Sequence, residues 1–144
     1  HSWPFPRFIF PLMDVRKYIG IPYQTGGEDF SGVDCYTICR LFSQNELGKD
    51  LPDHSQLYRD ASVTSDAQGA FEQWGRSLRS QWTEVSEPDI GDVIIFNFYG
   101  APTHCAIFIG DNKCLHACEG MGSHLADLYG GPWERRMKGI MRWN

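Results

Sequence analysis

The feature that most limits what this chain can fold into is a change of period near its middle. From Asp14 to about Leu78 the apolar residues recur at helical spacing or sit among turns, and from about Gly91 onward they come as short β-rich runs. Val93-Ile94-Ile95-Phe96-Asn97-Phe98, opened by the turn cluster Glu87 to Asp92, reads as a buried strand. Cys105 to Ile109 and Lys113 to Ala117 flank Gly110-Asp111-Asn112, which is the pattern of a hairpin, and Met137 to Trp143 reads as a further strand. Helices followed by strands, without alternation, predict an α+β domain with an antiparallel sheet.

In the first half the clearest helix starts at Asp34, whose carboxylate can cap the free amides of a first turn. Cys35, Ile38, Cys39, Leu41 and Phe42 follow at three- and four-residue spacing, and Gly48 predicts a stop near Leu47. A second helix is expected over Asp66 to Arg79, with Gly69 and Gly75 weakening it. A chain of 144 residues holds one core. The aromatic, proline-rich stretch His1 to Leu12 reads as a leader, a linker or a cloning remnant, leaving residues 13–144 as the domain.

The net charge of -5 argues against nucleic acid as a partner, because backbone binders cluster Lys and Arg. No apolar run is long enough to span a bilayer, and the first residues lack the pattern of a signal peptide, so the place of action stays open. Five cysteines are an odd set in a chain large enough to fold without staples, which leaves at least one thiol for chemistry.

An unpaired cysteine is most often one more small core residue. Cys35 differs from Cys39, Cys105, Cys114 and Cys118 in its place at a helix start, where backbone amides and the helix dipole favour a thiolate and lower its pKa. A thiol nucleophile needs a base, and the base needs a third group to hold its ring. His104 at the start of one hairpin strand and His116 in the other can approach each other if the register allows. His54 and His124 are expected to be plain surface residues in loops or edges. A rival use of the same region is a metal module, with Cys114, His116 and Cys118 alternating along one strand face and His104 and Cys105 nearby.

Four ordered strings carry a resemblance. Tyr18 through Gly27, Ser31-Gly32-Val33-Asp34-Cys35, Pro88 through Phe96, and His104 through Gly110 with Leu115-His116-Ala117 resemble the catalytic domains of the NlpC/P60 family. The resemblance implies a papain-like core in which Cys35 attacks, His104 is the base and His116 orients it. Tyr23 would stand near the nucleophile to position substrate or support an oxyanion hole, and Asp34 and Tyr36 would contact the substrate. Family members commonly follow the cysteine with Ser-Gly, and here Tyr36 and Thr37 stand instead. That aromatic, with its flanking segments, looks most like members found in phage tail proteins.

The activity implied by the resemblance is hydrolysis of an amide in bacterial cell-wall stem peptides, most often the bond between γ-linked D-glutamate and a diamino acid, with no cofactor and no resident metal. Other phage tail proteins are a further class of partner. The alternatives are an amidase or acyltransferase of the same fold acting on another substrate, and a silent or metal-binding assembly module.

Overall fold

The computed structural model describes residues 15–53, 81–98 and 101–143. The expected helix over Asp66 to Arg79, the leader His1 to Leu12, and His54 lie outside the described residues.

A 3-10 turn, Val15–Tyr18, leads into a two-stranded ribbon of β1 (Glu28–Asp29) and β2 (Gly32–Val33). Helix α1 comes next at Thr37–Phe42 and continues as a π-helical turn, Ser43–Leu47, ending at Gly48 in the left-handed conformation. The expected stop is therefore where glycine permits it. The remaining strands are β3 (Trp82–Val85), β4 (Val93–Phe98), β5 (Ala101–Gly110), β6 (Lys113–Cys118), β7 (Gly122–Asp127) and β8 (Met137–Trp143). They form one six-stranded sheet in the order β3-β8-β4-β5-β6-β7, with every pairing antiparallel. The architecture is α+β, as the change of period predicts.

β4 is apolar on consecutive residues because both its faces are covered. Val93 and Ile95 point toward α1 and pack with Ile38, Cys39, Phe42, Cys105, Ile107 and Leu115. Ile94 and Phe96 point the other way, into a second layer with Ala106, Phe108, Cys114, Leu128 and Ile140. The sheet thus separates two apolar layers, and a one-residue slip of β5 would exchange every contact. Asp111 and Asn112 take positive φ of 51° and 59° in the β5–β6 turn, which is the conformation a two-residue hairpin loop demands.

β8 is tied to the sheet by charge as well as by its ladder. Arg142 grips the Asp92 carboxylate through two bonds of 2.9 and 2.8 Å, and Asp92 is buried while Arg142 is 39% exposed. Arg142→Met is expected to cost roughly 2 kcal/mol, since it leaves a buried carboxylate that only partial solvent access can relieve. Urea unfolding of the two proteins side by side measures this, and equal midpoints would deny the pair its role.

Candidate active site

Asp34 sits one turn ahead of α1 and organises the segment that carries Cys35. Its Oδ1 accepts the amides of Tyr36 (3.0 Å) and Thr37 (2.9 Å), its Oδ2 accepts the amide of Gly26 (2.8 Å), and its own amide donates to Thr37 Oγ1 (2.8 Å). This is the reciprocal arrangement of a capping box, so the cap expected at Asp34 is present although regular helix begins at Thr37. Asp34 is fully buried, with both carboxylate oxygens engaged, and Tyr36 is buried with its hydroxyl donating to the Pro52 carbonyl (2.7 Å). Both side chains are engaged in holding the segment that carries Cys35, which is itself 6% exposed.

Removing the Asp34 carboxylate strands three backbone donors in a closed space. Asp34→Ala is expected to cost about 3 kcal/mol or more, with Asp34→Asn costing less because one oxygen remains. Chemical denaturation of both variants checks the order, and an alanine variant as stable as the asparagine one would contradict it.

Cys35 is 6% exposed, in the layer between α1 and the sheet. Its carbonyl oxygen accepts the Cys39 thiol at 3.4 Å and the Cys105 thiol at 3.2 Å. The expected drop in its pKa is corrected by these surroundings. The Cys35 thiol is pushed well up, first by a hydrogen bond with Cys105 and then by burial, and contact with the His104 ring offsets this only in part. The first-turn amides that would have stabilised a thiolate are already occupied by Asp34.

The β5–β6 register pairs Ile107 with Leu115 and Phe108 with Cys114. Carried toward the start of β5, it sets Ala106 across from His116 and His104 across from Cys118. The two imidazoles are therefore diagonal neighbours on one face, and His104 Nε2 lies 2.9 Å from His116 Nδ1. Trp133 closes over both rings, with centroids 5.5 Å from His104 and 4.5 Å from His116, and Phe96 stands 5.9 Å from His104. His104 stays half-buried at the end of the sheet beside this aromatic layer, and its ring favours the Cys35 thiolate against the pull of Cys105 and burial.

His116 is 1% exposed, and burial first, then the neighbouring His104 and His124, push its pKa down to about 2. It is a neutral ring at any working pH. Its Nε2 is buried without a hydrogen-bond partner among the described residues. His124, expected at the surface, is instead half-buried in β7 directly opposite His116, with ring centroids 4.2 Å apart and its Nδ1 on the Gly122 carbonyl at 3.1 Å. The sequence hid this because β7 lacks the apolar run that marks β4.

Cys118 lies 3.9 Å from His104 Nε2 and 3.8 Å from His116 Nδ1. Of the ligands weighed for a metal module, Cys105 faces α1, and the donors that come within 4.8 Å of one another are His104, His116 and Cys118. Trp133 was also missed, since it comes from the connection after β7, outside any periodic segment.

Tyr23 is half-buried and bridges its backbone to Val33. It borders a groove of about 500 Å³ lined by Ile21, Pro22, Gln24, Glu119 and Met121 among others. Cys35 and the histidines do not line it. One wall depends on Gly122, at φ +71°, where a Cβ would stand 2.6 Å from the Ile21 carbonyl.

Against known proteins, residues 20–142 match the NlpC/P60 family. The probable peptidoglycan endopeptidase LytE of Bacillus subtilis is 28% identical over 135 residues, covering 92% of this chain and 33% of that protein. The tail tip assembly protein K of Escherichia phage lambda is 27% identical over 130 residues, covering 89% of this chain and 63% of the relative. This chain thus spans about a third of the first relative and under two thirds of the second. Among solved structures, the NlpC/p60 domain of peptidoglycan hydrolase SagA superposes with a TM-score of 0.54 at 24% identity, over 88% of this chain and 90% of that one, and shares the fold.

Proposed function

Because this chain belongs to the NlpC/P60 family, we propose that it is a cysteine peptidase that hydrolyses an amide of bacterial cell-wall stem peptides, with Cys35 as nucleophile, His104 as base and His116 as orienting residue. The observation that carries the reading is the His104 Nε2 to His116 Nδ1 contact of 2.9 Å, with the His104 ring placed so that it favours the Cys35 thiolate. It gives the base a fixed ring and leaves Nδ1 as the nitrogen for the thiol.

The raised Cys35 pKa shapes the chemistry. The resting nucleophile is a thiol, so its proton passes to His104 Nδ1 as Sγ attacks the carbonyl carbon, rather than in advance. The carbonyl electrons move onto oxygen, where the Cys35 amide is the proposed donor. Collapse breaks the C–N bond, and the proton on His104 leaves with the amine. Water, deprotonated by the same nitrogen, then cleaves the thioester. While His104 is charged its Nε2–H donates to His116 Nδ1, which requires His116 to keep its own proton on Nε2.

Substrate would run along the groove beside Tyr23, and Glu119 at its rim suits a positively charged group such as the free amine of a diamino acid. The bond between γ-D-glutamate and that residue is the cut we propose. Asp34 serves the site by holding the Cys35 segment in place.

Mass spectrometry of peptides released from purified cell walls tests the reading. Fragments that begin at the diamino acid are expected. Fragments that still carry γ-linked D-glutamate ahead of the diamino acid would move the cut to another amide, and no release from walls or from short stem peptides would reject the peptidase reading.

A further inference from the structure

The group formed by His104, His116 and Cys118 has a chemistry that the peptidase reading leaves unused. Three donor atoms from two adjacent strands, two imidazole nitrogens and one thiol sulfur, all lie within 4.8 Å of one another. Their separations are 2.9 Å between the nitrogens and 3.8 and 3.9 Å from the sulfur. A tetrahedral zinc ion with ordinary bond lengths sets its nitrogen ligands about 3.3 Å apart and nitrogen from sulfur about 3.6 Å apart. Opening the imidazole pair and closing the thiol by a few tenths of an ångström makes three corners of that tetrahedron.

We propose that His104 Nε2, His116 Nδ1 and Cys118 Sγ form a site for zinc or a similar divalent transition metal, and that filling it switches off the Cys35–His104 pair. The second half rests on the peptidase reading. Donor softness favours zinc over magnesium or calcium, which prefer oxygen. His104 and Cys118 are half-buried, so the fourth position can be taken by water, while Trp133 packs on both rings and restrains them.

Binding replaces the shared imidazole proton. Cys118 releases one proton as it becomes a thiolate, and both facing nitrogens must offer lone pairs to the metal. His104 then carries its remaining proton on Nδ1, the nitrogen that would accept the Cys35 proton. A base so protonated cannot act.

The test uses the full chain, stripped with chelator and titrated with cobalt(II), then with zinc. Wild type is expected to bind one equivalent, show a thiolate-to-cobalt charge-transfer band, and release one proton per zinc. Cys118→Ser should lose the band and weaken zinc binding by more than about tenfold, because one of three ligands is gone, while Cys35→Ala keeps both. Wall hydrolysis by wild type should fall with stoichiometric zinc and return with chelator, and Cys118→Ser should stay active and insensitive. Loss of the band in Cys35→Ala, unchanged binding in Cys118→Ser, or no binding at all would overturn the site. Binding in the expected pattern by a chain that hydrolyses nothing sustains the site and removes the inhibitory half with the peptidase reading.

Discussion

Cys35→Ala is expected to release no peptide from cell walls above background, a loss of about a thousandfold or more, because in the proposed mechanism this residue forms the bond that every later step works on. The fold should survive, since the change removes one sulfur from a packed layer and leaves the Asp34 cap in place. Cys39 is the matched control. It is buried in the same layer one turn along the helix, and its thiol donates to the Cys35 carbonyl. Cys39→Ala should lose some stability and keep its activity. Retention of activity in Cys35→Ala, or an equal loss in Cys39→Ala, would remove the nucleophile from the scheme.

The second large effect concerns His116 and acid. Its ring takes a proton near pH 6.5 when unfolded and refuses one until about pH 2 when folded. Between those values the unfolded chain binds the extra proton, so the stability that depends on a neutral His116 is whole above pH 6.5 and drains as pH falls. The slope contributed by this one ring is up to about 1.4 kcal/mol per pH unit. Denaturation at pH 7, 6, 5 and 4.5 in chelator should therefore show a steeper loss for wild type than for His116→Asn, whose amide does not titrate. The asparagine keeps an acceptor where Nδ1 stood, so part of the activity should remain. Parallel pH curves for the two proteins would mean that burial does not hold His116 neutral.

The elements with strong local signals were legible in the chain. β4 and β8 run over the residues their apolar content marks, and Gly48 ends the helical segment because few other residues accept its φ of 63°. Cys35, His104 and His116 stand at places with local signals, a helix start and the two strands of a hairpin, and the pairing of that hairpin is what brings the two histidines together. What could not be read is what long-range packing decides. β3 is short and β7 is half-polar, so they exist as strands only because β8 and β6 supply partners. The rise in the Cys35 pKa comes from Cys105, seventy residues away in sequence, which outweighs the local pull of a helix start. The meeting of Cys118 with His104 depends on register, and Trp133 on the path of a connection, neither of which leaves a periodic mark.

The most direct test of the central claim is to trap the thioester. Rapid acid quenching of the enzyme with a stem-peptide substrate, followed by peptide mapping, should find the acyl group on Cys35 alone, and His104→Ala should abolish it. An acyl group on another cysteine, or turnover at full rate with Cys35 never modified, would contradict the account.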